Sequence, residues 1–470
     1  MNGIVKWFDE RTGWAKGIQE YMVHPVPRLV SPLDFLGVAA LFLFINQAVT
    51  GIFLAMFYVP SAASYAPHPS LSMAYESILF IMYKVPLGWV VRDLHFWGAN
   101  LMVIVVVTHM LRVFYEGAYK KPRELTWWAG VGLLLMTLAL AFTGYLLPWD
   151  QQSFWATAVG TAMFKYAPFL GHFLMTMFQG GEFTNSLTLT RFYSLHMLVL
   201  PAALVLLFAV HFIMVLKQGM SFIEEGEGAP KQKTVPFFPY TAFQMNIVVL
   251  ATAAVLLVIA TNYLAPLVAP ADPLNKAMYV PIPLWYFFWV YQFLKWVPYY
   301  LDPVGVIVIP AIGVLALLAL PLIDRGPHRE ASRRKPIIAA GAVAVAALAA
   351  LTYLGFLTVP TPLPSTLEAQ AHPTFSGTIE PILTGNCVMC HGPTGGDMAG
   401  QDFTTYAGVM KGGTTPVKGP VVIPGHPSKS LIVLHVEGKV APRMPLGAGP
   451  LHKAWIQDII NWIKEGAKNN

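Results

Sequence analysis

Apolar residues in this chain come in long unbroken runs, not in the short alternations of a water-soluble core. Stretches free of Asp, Glu, Lys and Arg fall at 35–60, 94–111, 125–149, 192–216, 234–271, 303–323 and 336–367. A membrane-crossing helix needs about 20 apolar residues, so the pattern predicts seven spans. An eighth run, 277–294, is long enough to cross but holds Pro281, Pro283 and the aromatic row Trp285, Tyr286, Phe287 and Phe288. It reads either as a span or as an interfacial loop with a short helix.

Charge separates these readings. With seven spans, one set of connections holds Lys6, Arg11, Lys16, Arg28, Lys120, Lys121, Arg123, Lys217, Lys231, Lys233, Arg325, Arg329, Arg333, Arg334 and Lys335. The opposite set holds Lys84, Lys165, Lys276 and Lys295. Cytoplasmic loops carry the excess of Lys and Arg. Seven spans therefore put the N-terminus in the cytoplasm and the tail outside, as in a multi-pass protein of the bacterial cell membrane.

Composition agrees. The 470 residues are 56% hydrophobic and 11% charged, with mean hydropathy +0.56, whereas a soluble protein carries roughly 25% charged residues. A soluble enzyme and a disordered chain are both excluded. The net charge of +6 is scattered between apolar runs and marks topology, not a nucleic-acid partner. Residues 1–33 are charged and lack an apolar signal core, so the first span is expected to direct insertion. Residues 4–23 read as an amphipathic surface helix with Val5, Trp7, Phe8 and Trp14 on its apolar side. Pro360, Pro362, Pro364 and Pro373 make 359–374 a stiff tether. Beyond it, 375–470 is more polar and reads as a small soluble domain.

Four histidines carry the chemistry. His95 and His109 lie 14 apart on the second run's helix, and His196 and His211 lie 15 apart on the fourth. At 100° per residue each pair returns to within about 40–60° of one face, and the rise between its members is about 21 Å. In a core about 30 Å thick one histidine of each helix sits near each leaflet. Both helices run in the same direction, so His95 is level with His196 on the outer side and His109 with His211 on the inner. Polar groups in lipid are costly, and a doubled pair at matched depths fits bis-histidine ligation of two haems better than four isolated core histidines. Gly37 and Gly51 on the first helix and Gly130 and Gly144 on the third repeat the 14-residue interval. They leave room for a flat macrocycle, or serve ordinary helix packing. Arg92, one turn outside His95, suits either a haem propionate or the interface.

The segments YKKPRELTW (119–127), GYLLPWDQQSFW (144–155) and RFYSLH (191–196) resemble cytochrome b6 of the cytochrome b6f complex. The 15-residue interval matches that branch, and 234–358 resembles its subunit IV. The resemblance implies an all-α membrane protein: a four-helix haem b domain (34–218) and three further transmembrane helices (219–358). It implies two non-covalent haems b, on His95 with His196 and on His109 with His211. It also implies a membrane quinol, a Rieske-type iron–sulfur partner and a dimeric complex. Two departures stand out. Phe35 occupies the position of the cysteine that holds an extra haem in cytochrome b6. The outer quinol motif Pro-Glu-Trp-Tyr is here Pro283, Leu284, Trp285 and Tyr286. The glutamate of that motif is thought to accept a quinol proton, which leucine cannot do; Tyr286, Asp150 and Asp302 are candidate substitutes.

Cys387, Cys390 and His391 form a C-x-x-C-H motif, the signature of covalent haem c attachment. They are followed by Met444 as the expected sixth ligand, with Met398, Met410, His426 and His435 as competitors. Met/His ligation raises the potential, as suits an electron acceptor. The tail is similar to small α-helical class I cytochrome c domains. Haem c is attached outside the cytoplasm, which agrees with the seven-span topology. The chain then reads as the cytochrome b/c subunit of a proton-translocating quinol:cytochrome c oxidoreductase, passing electrons to acceptor proteins outside. Leu284 leaves open a non-bifurcating subunit that feeds a dedicated partner enzyme.

Overall fold

The computed structural model describes residues 3–27, 31–65, 68–181, 183–219, 234–271, 282–358, 369–387, 391, 400–412, 420–440, 444, 451 and 453–470. The chain divides into two compact units, residues 1–270 with 283–358, and residues 271–282 with 359–470. In the first unit the helices are α1 (Gly3–Thr12), α2 (Trp14–Val23), α3 (Pro32–Ala55), α4 (Met73–Tyr83), α5 (Gly88–Tyr115), α6 (Glu124–Tyr145) and α7 (Gln151–Ala162). They continue with α8 (Gly171–Gln179), α9 (Ser186–Gln218), α10 (Phe237–Asn262), α11 (Phe288–Trp296), α12 (Val304–Ile323) and α13 (Lys335–Leu357). Among the described residues seven of these, α3, α5, α6, α9, α10, α12 and α13, are long and apolar enough to cross a membrane. They fall on the seven apolar runs. The eighth run yields α11, whose nine residues extend only about 13 Å at 1.5 Å per residue, too short to span.

Three details depart from the pattern. The expected single surface helix over 4–23 is broken at Gly13, whose φ of +62° is left-handed; the Asp9 carboxylate caps the restart by accepting from the Ala15 N–H at 2.7 Å. The run 234–271 is helical only to Asn262. The chain beyond it is pinned by two side chains and a backbone N–H: Trp97 Nε1 donates to Tyr263 O (2.6 Å), Tyr75 Oη to Val268 O (2.8 Å), and the Gln151 backbone N–H to Ala269 O (2.9 Å). Third, the turns Leu195–Val199 and Val304–Val308 are widened to π geometry. Each ends two residues before a proline, Pro201 and Pro310. A proline inside a helix lacks an N–H and clashes with the carbonyl four residues back, and the wider turn moves that carbonyl away.

Helix α3 packs along α5, α6 along α9, α10 against α5 and α3, and α11 against α13. A buried ionic knot ties the α5–α6 connection to the start of α13. Asp324 accepts from Tyr119 Oη (2.5 Å) and pairs with Lys120 Nζ (2.6 Å) and Arg334 (3.1 Å). Lys120 Nζ also donates to Gly326 O and His328 O, and Arg334 to Phe114 O and Tyr115 O.

The second unit holds α14 (Glu380–Asn386), α15 (Tyr406–Lys411), α16 (Leu431–Val436) and α17 (Lys453–Lys464). They enclose a core that includes Ile379, Leu383, Val409, Val433, Ile459 and Trp462.

Burial opposes ionisation of Asp324, but the hydrogen bonds from Lys120, Tyr119 and Arg334 outweigh it and hold the carboxyl below its usual range. The stabilisation is therefore complete above the unfolded value of about 3.9 and is lost as pH falls through the folded-state value. Asp324→Asn strands two buried cations, and we expect a loss of about 3–5 kcal/mol. Thermal unfolding of the solubilised protein across acidic pH checks this: the variant should lose the acid-side dependence that Asp324 contributes.

Candidate functional site

The four histidines project from α5 and α9, and each ring meets a glycine of the neighbouring helix. A Cβ built on Gly51 would stand 3.2 Å from His95 Cε1, on Gly37 3.5 Å from His109 Cε1, on Gly130 3.5 Å from His211 Cε1, and on Gly144 2.5 Å from His196 Cε1. The two 14-residue glycine intervals thus match the two histidine intervals partner by partner. Across the bundle, His95 and His196 face each other with ring centroids 6.2 Å apart. Imidazole–metal bonds run about 2 Å, and two in line plus the two ring radii span about 6 Å.

Hydrogen bonds set the tautomers. His196 Nδ1 lies 3.0 Å from Leu140 O, and His211 Nδ1 3.0 Å from Thr126 O. A carbonyl only accepts, so both rings carry the proton on Nδ1. His95 Nδ1 lies 2.9 Å from Thr50 Oγ1, whose own proton goes to Asn46 O at 2.6 Å; this ring also donates from Nδ1. In all three, Nε2 is left with a free lone pair, the form in which imidazole binds metals. The fourth ring, His109, has a buried Nδ1 without a hydrogen-bond partner.

The supporting threonines were not singled out in the sequence, yet a signal existed. Thr50–Gly51 on α3 and Thr143–Gly144 on α6 repeat one dipeptide, and Thr143 Oγ1 lies 3.3 Å from His196 Nδ1. The widened turn at Leu195–Val199 contains His196. A π turn absorbs one extra residue, so the 15-residue interval on α9 behaves like the 14-residue interval on α5.

Arg92 is buried and donates to Ala265 O and Pro266 O, both at 2.8 Å, while Asp93 Oδ1 accepts from the Ala265 N–H at 2.9 Å. Both residues clamp the chain beyond α10. Pro283 and Leu284 precede a single turn, Trp285–Phe287. Trp285 Nε1 donates to Asn100 Oδ1 on α5 at 2.8 Å, and Tyr286 is buried. Of the candidate substitutes, Asp150 is committed to structure: its oxygens accept from the Ser153 N–H (2.8 Å) and the Val268 N–H (3.3 Å). Asp302 accepts from Tyr166 Oη at 2.7 Å. Burial, and then that hydrogen bond, push the Tyr166 phenol up to about 12. Burial also raises the Tyr286 phenol, so it stays protonated at neutral pH.

In the second unit the His391 ring lies against Phe403, with centroids 5.2 Å apart. Cys387 and Met444 rest on the same core, as does Met410. His435 lies in the last turn of α16, and His426 precedes that helix. Cys390 and Met398 lie outside the described residues.

A helical membrane bundle with paired inward histidines, joined to a small helical unit bearing a C-x-x-C-H motif, is the architecture of a membrane cytochrome. The family described as "Cytochrome b(N-terminal)/b6/petB" matches residues 100–272, "Cytochrome b(C-terminal)/b6/petD" matches 270–372, and "Planctomycete cytochrome C" matches 387–445. The chain is 35% identical over 339 residues to a cytochrome bc complex cytochrome b subunit of Chlorobaculum thiosulfatiphilum, covering 72% of this chain and 76% of that protein. It is 39% identical over 229 residues to the menaquinol:cytochrome c reductase cytochrome b subunit of Bacillus subtilis (strain 168), covering 47% and 98%. A solved structure, "Hyperthermophilic respiratory Complex III", superposes with a TM-score of 0.67 at 31% identity, over 76% of this chain and 92% of that one. The chain belongs to the cytochrome b family of bc-type complexes and carries a cytochrome c domain at its C-terminal end. Such domains imply haem cofactors.

A methyl group at Gly144 would collide with His196, whereas one at Gly313 meets open space. Gly144→Ala is therefore expected to lower the b-haem content of the purified protein, and Gly313→Ala to leave it unchanged. Visible haemochrome spectra of the two variants decide this.

Proposed function

We propose that this chain is the cytochrome b subunit of a quinol:cytochrome c-type oxidoreductase, with its cytochrome c acceptor on the same polypeptide. The observation that carries the reading is the fourfold match of histidine to glycine at two depths. In this reading the bundle domain is 34–218, the three-helix domain 219–358, the tether 359–374 and the cytochrome c domain 375–470. His95 with His196, and His109 with His211, would each hold one haem b. Cys387, Cys390 and His391 would hold haem c, with Met444 as its sixth ligand. Haem, when bound, supplies one-electron transfer.

The chain's own residues do the rest. Thr50, Leu140 and Thr126 hold the rings in the metal-binding tautomer. Gly37, Gly51, Gly130 and Gly144 let those rings lie against the neighbouring backbone. Quinol would bind beside Pro283–Tyr286 on the outer side. Leu284 cannot take its proton, and Asp150 is occupied in capping α7. Asp302, hydrogen-bonded to Tyr166, is then the carboxylate left to relay that proton outward. Release of protons outside and uptake inside would build the membrane potential, with the N-terminus in the cytoplasm and the tail outside. A Rieske-type iron–sulfur partner, acceptor proteins outside and a dimeric assembly complete the complex.

Leu284 supports a second reading, in which quinol oxidation is not split and the chain feeds a partner enzyme. With quinone turnover blocked on the inner side, a splitting enzyme reduces its haems b during quinol oxidation, and a non-splitting one leaves them oxidised. We expect reduction. Asp302→Asn should slow quinol oxidation about a hundredfold and flatten its pH profile, measured as cytochrome c reduction by the full complex; an unchanged profile removes Asp302 from the site.

A further inference from the structure

Two turns at the His95 end of the bundle hold a bulky apolar residue in a conformation that favours glycine. Leu87, just before α5, has a φ of +57°, and Phe169, in the turn before α8, a φ of +62°. A side chain in this left-handed region costs free energy that glycine does not. Trp149 shares the conformation, with a φ of +52°, but is buried and packs edge-on against the Phe154 ring. Leu87 is 69% exposed and Phe169 fully exposed, so neither offsets its strain by packing inside the chain. The two turns are built alike. Each runs from an exposed lysine to a proline, the left-handed residue and a glycine: Lys84, Pro86, Leu87 and Gly88 in one, and Lys165, Pro168, Phe169 and Gly171 in the other. A Cβ on Gly88 would lie 2.1 Å from Ile81 O, and one on Gly171 2.1 Å from Lys165 O, so each turn is pressed against the chain before it. Tyr83 just ahead of Leu87, and Leu170 and Phe173 just after Phe169, are exposed as well.

Both turns sit at the boundary of a membrane-crossing helix. The 28 residues of α5 extend about 42 Å, which matches a bilayer of about 40–45 Å with its headgroups. Leu87, directly ahead of that helix, therefore stands at headgroup level. Tyr166, three residues before Phe169, donates to Asp302, which lies two residues ahead of α12. The 20 residues of α12 extend about 30 Å, the thickness of the hydrocarbon core, so the Phe169 turn is held near the edge of that core. Lys165 Nζ lies 4.8 Å from the centroid of the Tyr166 ring, beside the same turn. An apolar tip with a cation close behind it has the chemistry of a lipid leaflet. The tip meets the acyl boundary, and the ammonium meets the phosphate.

We propose that the Leu87 and Phe169 turns are lipid anchors, with their apolar tips in the leaflet at the His95 end and Lys84 and Lys165 on its headgroup phosphates. Contact with phospholipid then supplies the stabilisation that the left-handed tips lack within the chain. Two elements of the candidate site ride on these anchors. Leu87 opens the helix that carries His95, and the Phe169 turn carries Tyr166, the hydrogen-bond partner of Asp302. The anchors set the depth of both against the membrane surface.

The test uses the purified full-length protein in vesicles of phosphatidylcholine and phosphatidylglycerol. Leu87→Cys and Phe169→Cys carry nitroxide labels, and the unsubstituted chain, treated alike, gives the background from Cys387 and Cys390. Val343→Cys, exposed midway along α13, is the lipid reference, and Ser428→Cys, exposed in the second unit, is the water reference. Oxygen concentrates in lipid and a nickel chelate in water, so the ratio of their effects on a label's power saturation reports what surrounds it. Both tips should give a ratio severalfold above that of Ser428→Cys, toward that of Val343→Cys. The water value at either tip overturns the proposal. So does exclusion of both reagents, which would mean that protein and not lipid covers the turn. Lys84→Gln combined with Lys165→Gln should lower the ratio at both tips, and an unchanged ratio overturns the headgroup contact. In the unlabelled protein, Phe169→Gly should lower the unfolding temperature in these vesicles although glycine suits the left-handed φ; a rise overturns the anchor.

Discussion

Each of four imidazoles lies against a helix position that has no side chain, and that contact fixes how close the neighbouring helices must run. Two helices bear the rings and two bear the glycines. Three of the rings, His95, His196 and His211, reach a backbone carbonyl or threonine of the next helix only because nothing projects between them. Membrane helices gain little from the hydrophobic effect, since lipid is as apolar as leucine, and associate through close packing and interhelical hydrogen bonds. Here the same contacts supply both. They bind α3 to α5 and α6 to α9, and they leave Nε2 of His95 and His196 free to hold a metal.

The His95 end of the bundle is organised by a second constraint. The chain leaving α10 has no regular structure, so its backbone groups need partners in a region poor in water. Arg92, Asp93, Trp97, Tyr75 and Asp150 provide them. The charged and aromatic residues flanking His95 are accordingly spent on positioning this stretch, which leads toward the Pro283–Tyr286 turn. That turn is in turn tied to α5 through Trp285 and Asn100.

Much of this was legible in the residues. Seven apolar runs became seven long helices because the bilayer permits little else, and the short, proline-bearing eighth became α11. The histidine and glycine intervals stood out because spacings of 14 residues on three helices and 15 on a fourth are improbable unless the helices meet. Other features depended on tertiary partners. Nothing local says that Arg92 turns to Ala265 O, or that Asp324 gathers Tyr119 and Lys120, some two hundred residues away, as well as Arg334, ten residues on. Gly13 looked compatible with a continuous surface helix until its left-handed φ split it. The extra residue between His196 and His211 made sense only once the π turn ahead of Pro201 was in view.

The central claim is that paired imidazoles at two depths grip two iron porphyrins, with a third on the tail domain. Quantitative pyridine haemochrome analysis of the purified full-length protein tests it most directly. Two haems b for each haem c is the ratio this account predicts. One haem b for each haem c would mean that at least one of the two histidine levels holds no haem, and would contradict it.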